Sequence, residues 1–279
     1  MLTIFLVVLA LIWIIFAVVS DLKTREIPNW LNFSLIIFIL GIRFFYSFFD
    51  ENWDFFIQGL FGFGIFFIIS NFLYYARFFA GGDAKLMMSL GPVLPLEVDF
   101  LGNVSLFLNF LFLFLIAGAI FGFVSILYFS YKDFNKIKKD FIKNMKNNKR
   151  IFYLFMLIGL LLMLTGFFGE LLFLLGALLF ILPYLFFYTK AIDNVCLVQK
   201  INSKELTEGD WLHQQVKIGS NTIIPKWEGV NKKEIRLIRK KYKFVLIKRG
   251  IEFSPVFLVS FIVFVSLYFS GINLWNSLW

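Results

Sequence analysis

The sequence predicts an all-α polytopic membrane protein with about eight transmembrane helices and a small cytosolic α+β insertion before the last helix. Of its 279 residues 60% are hydrophobic and only 16% are charged, and the mean hydropathy is +0.82. A soluble domain is about a quarter charged and about half apolar. The composition therefore excludes disordered, collagenous and nucleic-acid-binding chains, although the net charge is +9.

Apolar runs of helical length supply the predicted crossings, because about 20 apolar residues span the roughly 30 Å of hydrocarbon in a bilayer. We count eight such runs, over residues 4–19, 30–49, 55–75, 84–96, 104–131, 151–168, 171–188 and 253–270. The fourth run is short and contains Gly91, Pro92 and Pro95. Its length alone is therefore also compatible with a re-entrant segment.

The basic residues decide between a crossing and a re-entrant segment. Of the 27 Lys and Arg residues, 26 lie in the alternate connections 21–29, 75–85, 132–150 and 190–249, and the connections between these hold none. This positive-inside pattern requires the fourth run to cross, and it predicts that both termini lie outside the cell. The one exception, Arg43, is expected to snorkel outward from the second run.

The predicted topology divides the chain into five regions. They are a membrane core of five helices (1–131), a basic cytosolic connector (132–150), an additional transmembrane hairpin (151–189), a basic cytosolic domain (190–249), and the last transmembrane helix with an external tail (250–279). Each region is expected to form a separate part of the structure.

The two basic regions are expected to face anionic lipid. Four apolar residues of the connector recur at helical spacing and predict an amphipathic helix on the headgroups, namely Phe134, Ile137, Phe141 and Met145. The cytosolic domain contains 14 Lys or Arg against 6 Asp or Glu, with a strand pair predicted over 215–224 and a helix over 232–243. Membrane lipid, rather than nucleic acid, is the expected partner of both regions.

Two aspartates at the cytosolic face are the candidate reactive groups. A single Cys196 and a single His213 exclude a multi-cysteine zinc site and a paired-histidine protease motif, so carboxylates or hydroxyls must supply any hydrolytic chemistry. Asp21 closes the first apolar run and Asp83 opens the fourth. Each alone is typical of a helix cap or a loop charge, but together on one face they suggest a paired-carboxylate site.

The glycines before Asp83 are the second feature of this candidate site. Gly81 and Gly82 are expected to let a substrate backbone approach, and to permit a strained turn. Lys23, Arg25 and Lys85 are placed to stabilise an ionised pair or to bind lipid phosphate, and we favour the lipid role.

These motifs resemble those of the type IV prepilin peptidase family, the GxGD-type aspartyl proteases of the membrane, and most of all its archaeal preflagellin and prepilin peptidases. Asp21-Leu-Lys-x-x-x-Ile27-Pro28-Asn29 follows the first helix, and Gly81-Gly82-Asp83-Ala84-Lys85 opens the fourth. The resemblance implies that Asp21 and Asp83 are catalytic and that no metal or cofactor takes part. It also implies a set of motif or supporting residues, namely Lys23, Pro28, Asn29, Gly81, Gly82 and Lys85.

The sequence departs from the family pattern in places. Ala80 stands where the GxGD pattern has its first glycine, and Glu252 replaces a frequent proline at the entry to the last helix. The hairpin over 151–188 exceeds the six helices expected of the family core, and the cysteine-rich domain of bacterial members is absent.

The resemblance further implies a reaction and a place. Such an enzyme sits in the cell membrane and cuts the short basic leader from precursors of pilin-like or archaellin subunits at the cytosolic surface. A fourth run too short to span the bilayer predicts a water-filled indentation in which Asp83 meets both water and the scissile bond.

Three alternatives remain open at this stage. A small-solute transporter or channel is disfavoured because the apolar runs contain no Asp, Glu, Lys or His near their centres. A non-catalytic scaffold would use the basic region 190–249 to hold partners. A presenilin-like protease that cuts within the membrane would need an aspartate at greater depth than Asp21 or Asp83.

Overall fold

The computed structural model describes residues 2–97, 99–166, 169–218, 221–226 and 228–272. The chain forms two compact units. Unit 1 consists of Met1–Gly122 and Glu252–Trp279, and unit 2 of Phe123–Ile251.

Helices account for most of the described chain. They are α1 (Leu2–Thr24), α2 (Asn29–Phe49), α3 (Asp54–Tyr75), α4 (Gly81–Leu90), α5 (Phe100–Asn147), α6 (Lys149–Thr165), α7 (Glu170–Cys196), α8 (Lys232–Lys241) and α9 (Ser254–Phe269). Within the described residues five helices, α1, α2, α3, α5 and α7, are long and apolar enough to cross a membrane. The predicted class, an all-α polytopic membrane protein, is confirmed, and helices are favoured because they satisfy every backbone polar group inside lipid.

Unit 1 is held together by an aromatic and aliphatic core. Phe114 packs its ring against Phe110 and, at 4.8 Å between centroids, against Phe257 of α9. Phe66 of α3 and Leu90 of α4 are fully buried in the same cluster. These contacts bring α3, α4, α5 and α9 into one packed layer.

The fourth segment passes through unit 1 from one end of α2 towards the other. At its start Gly82 lies against Ile27, just before α2. At its far end, the Pro95 carbonyl accepts a hydrogen bond from Arg43, 14 residues into α2. Helix α4 itself has only 10 residues, which is about 15 Å, and a turn and an extended stretch complete the path. This course is compatible with the predicted crossing, which stays a prediction, because α4 is not among the five described helices that are long enough to span a membrane.

The expectation that Arg43 snorkels outward is wrong. Its side chain is 0% exposed, and it donates to the carbonyls of Phe55 and Pro95 at 2.9 and 2.5 Å. The guanidinium carbon also lies 4.1 Å from the centre of the Phe55 ring. The turn after α4 and the start of α3 supply acceptors for its two terminal nitrogens inside the bundle, which stabilises the buried cation, while its Nε has no partner among the described residues.

Unit 2 contains the additional hairpin and the end of α5. Helices α6 and α7 pack so closely that a Cβ atom on Gly159 would lie 2.9 Å from the Gly176 carbonyl oxygen. Helix α5 has a kink at Asp133 and then continues to Asn147.

The connector packs part of its predicted apolar stripe against α7, and its contact with lipid stays a prediction. Ile137 is 0% exposed and packs with Ala191 and Ile192 of α7, with Phe141 beside them. The Ser130 and Tyr188 hydroxyls are 2.6 Å apart, and Asn194 donates to Asp140 at 3.1 Å. An apolar stripe fits a neighbouring helix as well as it fits lipid. Here α7 covers Ile137 and Phe141, whereas Phe134 is 56% exposed.

The small sheet region follows α7. Strands β1 (Val198–Asn202), β5 (Phe244–Lys248) and β2 (Trp211–Leu212) form one antiparallel sheet in that order, and β3 (Val216–Ile218) pairs with β4 (Asn221–Ile223). The predicted strand pair and basic helix are therefore confirmed, while turn residues 219–220 lie outside the described residues. Helix α8 buries Ile235 and Ile238 against this sheet.

Candidate active site

A cavity of about 300 Å³ in unit 1 brings the two candidate aspartates together, although they are 62 residues apart in the chain. It lies between the end of α1, the loop to α2 and the start of α4. Its lining residues are Asp21, Arg25, Glu26, Ile27, Pro28, Asn29, Ala80, Gly82 and Asp83. Of the predicted site residues, Gly81, Lys23 and Lys85 are not part of this lining.

The last turn of α1 holds Asp21. The helix ends because Arg25 adopts a left-handed conformation with φ 59°, and its backbone N–H donates to the Asp21 carbonyl at 2.7 Å. The Ser20 hydroxyl donates to the Glu26 carbonyl at 2.9 Å and pins the loop back onto the helix. Asp21 is therefore presented by a fixed helix end and not by a free loop.

The first turn of α4 holds Asp83. Ala80 is the N-cap, with φ −71° and ψ 163°, an extended conformation that any residue adopts. The substitution of alanine for the first glycine of the motif therefore causes no backbone strain.

The two glycines of the motif make only ordinary contacts, since a Cβ on Gly81 would lie 3.9 Å from the Tyr74 ring. Neither Gly81 nor Gly82 has a positive φ, so the expected strained turn is wrong. A Cβ on Gly82 would lie 3.4 Å from the Ile27 Cβ, which shows that the loop after α1 rests directly on the start of α4. This approach places the two aspartates on one cavity.

The electrostatics of the cavity favour a protonated Asp83. Asp83 lies one residue before the apolar run 84–96. Burial, together with repulsion from the Asp21 carboxylate, raises the pKa of Asp83 from 3.8 to about 7, and a hydrogen bond from the Ala80 backbone opposes this rise. Asp83 therefore keeps its proton up to about neutral pH.

The supporting residues fix the elements around the cavity. The Lys85 ammonium donates to the Asn29 side chain at 2.6 Å and ties α4 to the start of α2. Pro28 is the N-cap residue of α2, and Lys23 is exposed on the last turn of α1. Among the described ion pairs, none joins Lys23 or Lys85 to either aspartate.

Two carboxylates near the cavity were missed by sequence reasoning. Glu252, where the family often has proline, pairs with Arg25 at 2.8 Å. This pair neutralises the arginine that lines the cavity. Glu26 lines the cavity as a third carboxylate, and its side chain is in none of the described ion pairs. The sequence offered one sign of both residues. Glu26 and Glu252 each lie beside a membrane helix end that is predicted to be at the cytosolic face.

Fold and cavity together define a polytopic helical membrane protein with two aspartates facing one cavity. Residues 8–133 match the sequence model of the type IV leader peptidase family, which confirms the resemblance for this part of the chain. Over 84 residues the chain is 34% identical to the preflagellin peptidase of Methanocaldococcus jannaschii. That alignment covers 30% of this chain and 36% of the relative, so it spans about a third of the relative's own length. No solved structure matches the chain significantly.

The family match ends at residue 133, within α5. It therefore includes Asp21, Asp83 and the whole cavity lining, whereas α6, α7 and the small sheet region lie beyond it.

Proposed function

We propose that this chain is an aspartyl leader peptidase, which removes the short basic leader from pilin-like or archaellin precursors at the cytosolic membrane surface. The observation that carries the proposal is the convergence of Asp21 and Asp83 on one cavity, in which burial and the Asp21 charge raise the pKa of Asp83 to about 7. The family match supports a peptidase, and the name of the archaeal relative supports a preflagellin as substrate.

The reaction needs one proton on the pair. The ionised carboxylate removes a proton from a water molecule, whose oxygen attacks the scissile carbonyl carbon, while the protonated carboxyl donates a hydrogen bond to the carbonyl oxygen. The tetrahedral intermediate then breaks its C–N bond, and the leaving amine takes a proton from the pair. The mechanism is symmetrical in Asp21 and Asp83, and we assign neither as the initial base.

The charge around the cavity suits a basic leader. With Arg25 neutralised by Glu252, the remaining ionisable lining residues are all acidic, namely Asp21, Glu26 and Asp83. A cavity lined by carboxylates attracts a cationic peptide and repels an acidic one.

The charge pattern gives the orientation of the protein, and the position of the cavity gives its catalytic region. The positive-inside rule places the cavity and both basic regions in the cytosol and both termini outside. We assign catalysis to the predicted core 1–131 with the last helix over 250–279, because these regions include the whole of unit 1, which contains the cavity. Regions 132–150, 151–189 and 190–249 are accessory to it.

Cleavage of a precursor by the purified, reconstituted protein tests this proposal. A precursor with a basic leader should lose the leader, seen as a gel shift and a mass change, and its cleavage should slow when the leader lysines are changed to glutamate. Glu26→Gln should lessen that discrimination, while Glu51→Gln, on the predicted outer side, should leave it unchanged. No cleavage of any precursor, together with solute flux in the same vesicles, would favour a transporter.

A further inference from the structure

The outer face of α8 in unit 2 carries a stripe of cations that the fold does not use. Lys233, Arg236 and Lys240 are exposed, with Leu237 between them at 39% exposure. Their spacing of i, i+3, i+4 and i+7 places all four on one side of the helix. In the described part of the chain, the side chains of these three cations have no ion pair or hydrogen bond. We call these four residues the α8 stripe.

The other cations of α8 are engaged inside the small domain. Arg239 donates to the carbonyls of Ser203, Lys204 and Leu206 at 2.9 to 3.1 Å, and Lys241 donates to the Lys217 carbonyl at 3.1 Å. Lys232 lies 3.5 Å from Glu208. The cations of the stripe therefore differ from their neighbours on the helix, which bind α8 to the rest of the domain.

The helix is rigidly placed, so the stripe is a fixed surface. Asn231 and Glu234 form a capping box at its start, and Glu234 also binds Lys226 at 3.0 Å. On the opposite side Ile235 and Ile238 are buried in the domain core. The side chains of the stripe can therefore contact only something outside this domain.

The domain is tethered to the bilayer by its own membrane helix. Helix α7 has 27 residues and qualifies as a membrane span, and β1 begins at Val198, two residues after α7 ends at Cys196. A helix of this length measures about 40 Å, roughly 10 Å more than the hydrocarbon core. The sheet thus starts within about one Debye length of the headgroups, where lysine and arginine are attracted to anionic lipid.

We infer that the α8 stripe is a docking surface for the anionic headgroups of the membrane. Cations flanking one exposed leucine are the composition of helices that lie at a lipid surface, with the apolar side chain entering the headgroup boundary. The occupant is the protein's own bilayer, and docking orients the small domain on the membrane. This inference is independent of the proposed peptidase activity.

A fluorescent reporter in the stripe tests the inference in the full-length protein. In a Cys196→Ser background, Leu237→Cys is labelled with an environment-sensitive dye, and the protein is placed in nanodiscs of phosphatidylcholine with or without phosphatidylglycerol. Anionic lipid should raise the emission about twofold and shift it to the blue. Raising the salt towards 1 M should reverse the change, because the Debye length falls from about 10 Å to about 3 Å.

Two charge variants of equal net charge separate the stripe from a general charge effect. Lys233→Gln, Arg236→Gln and Lys240→Gln together should abolish the response to anionic lipid. The matched control Lys200→Gln, Lys204→Gln and Lys217→Gln, at exposed positions of the same domain, should retain it. Equal emission in both lipids, as expected if the stripe binds an acidic protein instead, would overturn the inference. An equal loss in both variants would also overturn it.

Discussion

At the scale of single residues, the site depends on how two carboxyl groups share a small volume. Asp21 is held by the last turn of α1 and Asp83 by the first turn of α4, and Gly82 lies against Ile27 where the two elements meet. Both aspartates could be predicted from the sequence because a motif of adjacent residues marks each. The ion pair of Arg25 with Glu252 could not, because its partners are 227 residues apart and meet only through tertiary packing.

The raised pKa of Asp83 predicts the alkaline limb of the pH profile. Because burial and the Asp21 charge hold a proton on Asp83 up to about pH 7, cleavage should fall as the pH rises through about 7. One lost proton corresponds to a decline of about tenfold per pH unit above that point. Initial rates of leader removal between pH 6 and 9 measure this. A rate that stays constant up to pH 9 would show that the pair does not need the proton.

At the scale of elements, the short fourth segment is the feature that places Asp83. Its length was visible in the sequence, but its packing was not, because glycine contacts have no periodic signature. A Cβ on Gly62 of α3 would lie 2.8 Å from the Pro95 side chain and closer still to the Gly91 carbonyl. The packing of the connector was also not visible in the sequence. Its apolar stripe, which includes Ile137, was compatible both with lipid and with a neighbouring helix such as α7.

The tight α3 contact predicts opposite effects for two similar substitutions. Gly62→Ala forces the fourth segment away from α3 and should lower the unfolding free energy by about 1–3 kcal/mol, with reduced cleavage. Gly64→Ala on the same helix has nothing within 4 Å and should raise stability by up to about 1 kcal/mol through helix propensity. Thermal unfolding in detergent compares the two variants. A Gly62→Ala protein as stable as the Gly64→Ala protein would contradict the packing of the fourth segment.

At the scale of the whole molecule, hydropathy and charge together predict the class of the protein. The polytopic helical fold and the small sheet region were predictable because lipid restricts the chain to helices and a polar segment interrupts the apolar runs. Five described helices meet the criterion for a membrane span, and the eight crossings and their orientation stay predictions. The buried Arg43 was unpredictable, because its acceptors exist only once α3 and the fourth segment are packed.

The predicted topology has a direct chemical test, because the chain has one native cysteine. In a Cys196→Ser background, Asn52→Cys should react with an impermeant maleimide in intact cells. Asn147→Cys should react only after permeabilisation, since the positive-inside pattern places it in the cytosol. Labelling of both positions in intact cells would show that the end of α5 lies outside the cell. The fourth segment would then be re-entrant and the predicted topology would be wrong.

The central claim, that Asp21 and Asp83 form one catalytic unit, is tested most directly by a double-mutant cycle on leader cleavage. Asp→Asn keeps the volume and the helix-end hydrogen bonding but removes the ionisable proton. Asp21→Asn and Asp83→Asn should each reduce cleavage by several orders of magnitude, and the double variant should be scarcely slower, because groups that act as a unit are not additive. Asp50→Asn, at the other end of α2, is the matched control and should keep full activity. Substantial cleavage by a correctly inserted Asp21→Asn or Asp83→Asn protein would contradict the aspartyl mechanism, and multiplicative losses in the double variant would show that the two residues act separately.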